Sequence, residues 1–189
     1  MIYEICKALC KLILKFYCKI EVQGQQLFPR QGPFILASNH ISNLDPFVIG
    51  TLCPRQLYYL AKEELFKHSF FRWLLKNINV IPVKRGHGDL RVMRAALGVL
   101  KNEPLLIFPQ GTRSDNYDNV KGGVGFLYKK AKVPILAAKI SGTDKMLPKG
   151  GKRINSGEVN VIFAKVEELD DNENYEAIAA AIVRKIKEL

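Results

Sequence analysis

Phe34-Ile35-Leu36-Ala37-Ser38-Asn39-His40-Ile41-Ser42-Asn43-Leu44-Asp45-Pro46 is the stretch on which the fold turns. Its four leading apolar residues do not alternate with polar ones, so they read as a strand buried on both faces. A polar loop follows, and Asp-Pro is a good opening for a helix near 46–51. A buried strand handing over to a helix through a short loop is the unit from which α/β folds are made. The loop also sets His40 and Asp45 five positions apart. Folding back, Asp45 can accept the Nδ1–H of His40, fixing the tautomer and leaving Nε2 as a general base. One carboxylate oxygen can do this while the other caps the following helix. Alone, such a pair decides nothing, because it arises often by chance.

The same alternation extends outward from this unit. Strands are expected near 34–38, 56–60, 79–83, 104–108, 134–140 and 158–164. Helices are expected near 46–51, 63–77, 89–101, 123–131 and 173–187, with Asp89 as an N-cap. This predicts an α/β fold: a mostly parallel central sheet flanked by helices, preceded by an N-terminal amphipathic helix suited to membrane docking. With no internal repeat or linker, the organisation is a helix over 1–22 and a single domain over 23–189. Within that helix, Lys7, Lys11 and Lys15 share one side with Glu4, while Ile5, Leu9, Leu12, Ile13 and Phe16 occupy the other. Two readings stand: a helix lying in a membrane interface, or an ordinary core-packing helix with a solvated charged face.

Composition narrows the function classes. A length of 189 residues with 48% hydrophobic content supports one globular domain. Twenty-nine Lys and Arg against 18 Asp and Glu, a net charge of +11, favour an anionic partner. The cations are spread along the chain and form no nucleic-acid motif, so a lipid surface or phosphorylated ligand fits better than nucleic acid. Cys6, Cys10, Cys18 and Cys53 lack metal-site spacing and are read as reduced thiols of a cytosolic compartment. No run of about 18 uncharged apolar residues exists, so no spanning helix is expected. Lysines interrupt the N-terminal apolar run, which argues against a signal peptide.

Three more segments carry chemistry. Ile81-Pro82-Val83-Lys84-Arg85-Gly86 runs from a strand into a basic turn. Phe108-Pro109-Gln110-Gly111-Thr112-Arg113-Ser114 leaves a buried strand for a polar loop, and Val133-Pro134-Ile135-Leu136 is followed by Ser141-Gly142-Thr143. Such strand ends are the usual seat of sites in open α/β sheets. Arginines there can hold phosphate in a bidentate manner, whereas Lys84 or Lys121 would supply a point charge. Neither Ser38 nor Ser42 sits in a nucleophile elbow, which favours direct attack by a hydroxyl activated by His40 over an acyl-enzyme. Backbone N–H groups of the Gly111 loop are candidate oxyanion donors.

These four blocks, in this order between about Lys19 and Lys165, resemble the glycerolipid acyltransferases of the 1-acyl-glycerol-3-phosphate acyltransferase (PlsC-type) family. The resemblance implies His40 as catalytic base and Asp45 as its orienting partner. It implies that Arg85, Gly111, Thr112 and Arg113 surround the acceptor's phosphate and glycerol, with Lys84, Lys121 and Gln110 beside them. The donor would be acyl-CoA or acyl-carrier protein and the acceptor lysophosphatidic acid, giving phosphatidic acid. No metal or organic cofactor is implied. The enzyme would sit peripherally on the cytoplasmic face of an anionic membrane. Gln110 stands where the family usually has Glu, Asn79 where it has Gly, and Ala137 where it has Pro. An amide at 110 can hydrogen-bond a hydroxyl but cannot serve as a base. The rival readings are transfer to another lyso-lipid and, from a different class, a non-catalytic basic module.

Overall fold

The computed structural model of the chain describes residues 1–83, 90–113, 120, 122–167 and 169–189. Its strands are β1 (Cys18–Gln23), β2 (Ile35–Ser38), β3 (Tyr58–Lys62), β4 (Val80–Val83), β5 (Leu105–Ile107), β6 (Ile135–Ser141) and β7 (Gly157–Lys165). The helices are α1 (Ile2–Tyr17), α2 (Asp45–Leu52), α3 (Ser69–Asn77), α4 (Leu90–Val99), α5 (Gly123–Ala131), α6 (Thr143–Met146) and α7 (Tyr175–Glu188). The described strands form one sheet in the order β1-β7-β6-β2-β5-β3-β4. Every neighbouring pair is parallel except β6 and β7, which run antiparallel. The expected mostly parallel α/β architecture is therefore the one observed.

β2 lies between β5 and β6, with apolar layers on both sides, which explains why its sequence does not alternate. Phe34 and Leu36 enter a layer with Leu14 of α1, Val48 and Ile49 of α2, Leu106, and Val159 and Val161. Ile35 and Ala37 enter the opposite layer with Leu100, Leu127 of α5, and Ile178 and Ile182 of α7. Fully burying one such aliphatic side chain is worth about 1.5–3 kcal/mol.

Several local expectations change. Residues 18–22, assigned to the N-terminal helix, belong to β1. The helix stops at Tyr17, and Cys18–Gln23 alternates with period two to pair along β7. The single helix expected over 63–77 is a 3-10 turn (Glu63–Phe66) followed by α3. A continuous helix would put Phe66 and Phe70 on one face; the break buries Phe66 at 7% exposure and leaves Phe70 at 62%. Asn79 takes φ +62°, the left-handed conformation expected of a residue replacing Gly. Asn174 caps α7 by accepting from the Ala177 N–H at 2.8 Å. Asp89 lies outside the described residues.

The N-terminal helix packs by the side that its sequence pattern leaves least obvious. Tyr3 and Leu14 are buried, and Lys7 Nζ donates to the Cys53 carbonyl at 2.6 Å. Tyr3 Oη accepts the Leu57 N–H at 3.0 Å and lies 3.0 Å from Tyr59 Oη. Ile5, Leu9, Leu12, Ile13 and Phe16, on roughly the opposite side of a helix with 100° per residue, are exposed. The core-packing reading of that apolar face is thereby overturned. Among the described residues no helix is long and apolar enough to cross a membrane.

Tyr3→Phe should lower the unfolding free energy by about 1–3 kcal/mol, because the buried Leu57 N–H loses its acceptor. Urea denaturation followed by circular dichroism measures it, and an unchanged midpoint would show that α1 is held by other contacts.

Candidate active site

The site is built where β2 ends. Backbone pairing of β2 with β6 runs only to Ser38 and Ala138, and the side chain of Asn39 then takes over the ladder. Its Nδ2 donates to the Ile140 carbonyl at 2.8 Å, and its Oδ1 accepts the Ile140 N–H at 2.8 Å. This two-point clamp, 3% exposed, fixes the direction in which the chain leaves the sheet.

The next residues wrap around one carboxylate. Asp45 Oδ2 accepts from His40 Nδ1 at 2.8 Å, from the Ile41 N–H at 2.7 Å and from the Ser42 N–H at 2.8 Å. Asp45 Oδ1 accepts from Thr143 Oγ1 at 2.6 Å. Asp45 and Thr143 are both fully buried. Four donors directed at one buried carboxylate are the compensation that such burial demands. Because the carboxylate accepts, the proton on the imidazole belongs to Nδ1, and Nε2 presents a lone pair. His40 keeps 18% of its side-chain surface, so the ring is partly open to solvent. Phe108 stacks on the ring at 4.2 Å with planes 22° apart, giving the imidazole an apolar wall.

The expected capping role of Asp45 is not what its carboxylate does. Asp45 is the first residue of α2, after Leu44 as N-cap, and its oxygens turn back to the loop and across to Thr143. Thr143 is brought there by Gly142, whose φ of +90° and close approach to the Glu158 carbonyl exclude a side chain. The sequence marks Ser141-Gly142-Thr143 as a segment of interest but carries no signal that Thr143 reaches Asp45.

The loop after β5 brings the next group together. Phe108 and Gly111 close a turn, the Gly111 N–H donating to the Phe108 carbonyl at 2.9 Å, with Gly111 at φ +66°. That N–H is committed to the turn, so it is not the candidate oxyanion donor. Gln110 is buried at 5% exposure, Gly111 and Thr112 are exposed, and Arg113 is half-buried. A neutral amide is far cheaper to bury here than a carboxylate. Lys84, Arg85 and Lys121 lie outside the described residues. On the other side of β2, a cleft of about 620 Å³ is lined by Asn39, Ile41, Lys139, Gly142, Lys145 and Asn160.

Ser38, Ser42 and Cys53 are poorly placed as nucleophiles. Ser38 and Ser42 are fully buried, and their hydroxyls donate to the carbonyls of Asn39 and Leu147 at 3.0 and 2.9 Å. Burial pushes the Cys53 thiol up to about 11, far from a reactive thiolate. Among the described residues no cluster of His, Cys, Asp or Glu could hold a metal ion.

Residues 19–141 match the family model described as Acyltransferase. The chain belongs to the acyltransferase family. This acyltransferase is 28% identical over 196 residues to the 1-acyl-sn-glycerol-3-phosphate acyltransferase of Bacillus subtilis (strain 168), covering 99% of this chain and 96% of that one. It is 29% identical over 150 residues to 1-acyl-sn-glycerol-3-phosphate acyltransferase alpha of Homo sapiens, covering 76% of this chain and 53% of the human protein. Its fold matches the crystal structure of PlsC, the 1-acyl-sn-glycerophosphate acyltransferase from Thermotoga maritima. The TM-score is 0.78 at 24% identity, over 98% of this chain and 78% of that one.

Thr143→Val should cost the acyltransferase about 1.5–3 kcal/mol of stability, the usual worth of a hydrogen bond to a charged group. Thr143→Ser, which keeps the donor, should recover most of it. Equal urea midpoints for the two variants would contradict the role given to Thr143 Oγ1.

Proposed function

We propose that this acyltransferase moves a fatty acyl group from acyl-CoA or acyl-carrier protein to the free hydroxyl of 1-acyl-glycerol-3-phosphate, making phosphatidic acid. The observation that carries the reading is the His40–Asp45 hydrogen bond, with the imidazole stacked on Phe108 where the 108–113 loop begins. His40 takes the proton from the acceptor hydroxyl as its oxygen attacks the thioester carbonyl, and Asp45 stabilises the imidazolium. The tetrahedral intermediate collapses by breaking the C–S bond, and the thiolate leaves with the proton held by His40. Arg113 and Arg85 bind the acceptor's phosphate; Gly111, Thr112, Gln110, Lys84 and Lys121 complete the acceptor site. Support for the acceptor comes from the relatives, whose names specify 1-acyl-sn-glycerol-3-phosphate.

The enzyme works peripherally on the cytoplasmic face of an anionic membrane. Its supporting feature is α1, which buries Tyr3 and Leu14 on one side and leaves Ile5, Leu9, Leu12 and Phe16 outward on the other. An exposed apolar stripe on a basic helix is the pattern of a helix that can dip one face into the headgroup boundary.

His40→Ala should lower acyl transfer about 10²–10⁴-fold with an unchanged circular dichroism spectrum. The assay uses lysophosphatidate with each of the two donor types, and a folded His40→Ala protein at full rate refutes the base assignment. Equal turnover of a lyso-lipid lacking the phosphomonoester would move the acceptor to that class instead.

Replacing Ile5, Leu9 and Phe16 together by Ser should release the protein from phosphatidylglycerol-containing vesicles, since all three side chains are exposed. Vesicle co-sedimentation reads this directly. Undiminished binding would remove α1 from the membrane contact.

A further inference from the structure

Outside the site and α1, an aromatic cluster on α3 stands unexplained. Phe70, Phe71 and Trp73 are 62%, 51% and 53% exposed, and Leu65 on the preceding turn is 53% exposed. The rings touch one another, with centroids 5.7 Å apart for Phe70 and Phe71 and 6.3 Å apart for Phe70 and Trp73. No residue of α3 is buried. The segment is held from below: Phe66 enters the core, and Arg72 Nε donates to its carbonyl at 3.0 Å. Contiguous exposed rings of this size cost a soluble surface and mark a contact.

We propose that α3 is a second membrane-seating element, placing Phe70, Phe71 and Trp73 in the headgroup–acyl boundary of an anionic bilayer beside the active site. This rests on the reading that the acyltransferase works at a membrane surface. Charge complementarity selects the occupant. α3 carries no acidic residue; Arg72 and Lys76 flank its rings, and Lys62 and Lys67 precede them, against Glu63 and Glu64 on the turn. Phe and Trp bordered by Lys and Arg are what a bilayer boundary attracts, the rings taking the interface and the cations the lipid phosphates.

Topology puts the cluster in the right place. The connections β2–α2–β3 and β3–α3–β4 step across the sheet in the same direction. Right-handed crossovers therefore put α2 and α3 on one side of the sheet, where α1 also packs against α2. α3 also starts just after β3 ends, so its aromatic first turns belong to the carboxyl edge of the sheet that carries His40. A bilayer contacted by both helices would bring a lipid acceptor to the mouth of the site.

Trp73 is the chain's one tryptophan and so reports on α3 without a label. The probe is vesicles of phosphatidylglycerol and phosphatidylcholine, with co-sedimentation measured in parallel. Co-sedimentation together with a blue shift of Trp73 emission, quenched by chain-brominated lipid, is expected. Co-sedimentation with unchanged, unquenched emission overturns the role of α3 and leaves the membrane reading standing; failure to co-sediment overturns both. A blue shift that needs no vesicles and grows with protein concentration assigns the cluster to self-association and also overturns it. Phe70→Ser/Phe71→Ser, conservative for folding because both rings are exposed, should weaken vesicle binding about tenfold or more. Binding at the original strength with an unchanged urea midpoint would contradict the proposal.

Discussion

A buried carboxylate with four hydrogen-bond donors is the constraint from which the rest of the site follows. Asp45 has no exposed surface, so its charge is tolerable only while His40, Ile41, Ser42 and Thr143 all point at it. That requirement fixes the loop after β2, because two of the donors are its own backbone amides. It also fixes the loop after β6, because Thr143 has to arrive from there. The imidazole is thus oriented by the same carboxylate that ties two strand ends together, so its tautomer depends on the fold as a whole.

The sheet order makes this arrangement reachable. β2 is flanked by β5 and β6, which offer the site Phe108 to Arg113 on one side and Gly142 to Thr143 on the other. All three strands run parallel, so the loops that follow them converge at one edge. Asn39 reinforces that edge by continuing the β2–β6 ladder with its side chain. Acyl transfer needs a base, a held acceptor and a shielded carbonyl, and the convergence of three strand ends lets separate loops supply them. The apolar surfaces of α1 and α3 lie outside this core.

Much of this was legible in the residues, for physical reasons that can be named. The run Phe34–Ala37 announced a strand buried on both faces because each face meets its own helical layer. His40 and Asp45 were a feasible pair by spacing, since five residues suffice to fold a loop back, but the pair gained weight only from the blocks that accompany it. What could not be read were contacts across long separations. Thr143 sits 98 residues from Asp45 and Ile140 lies 101 from Asn39, and no local pattern encodes either. β1 was missed because a short alternating stretch directly after a strong helix looks like that helix's last turn. On α1 the apolar stripe was read correctly, but only tertiary packing shows that Tyr3 and Leu14, not the stripe, face the core.

The account rests on His40 carrying its proton on Nδ1 and offering Nε2 to the substrate. Nitrogen-15 NMR of the histidine side chains, with His40 assigned by comparison with His40→Ala, measures that tautomer directly. For the neutral imidazole of His40 the account predicts the tautomer with the proton on Nδ1, hydrogen-bonded to Asp45, lost or inverted in Asp45→Asn. A neutral imidazole with its proton on Nε2 in the unsubstituted protein would contradict it.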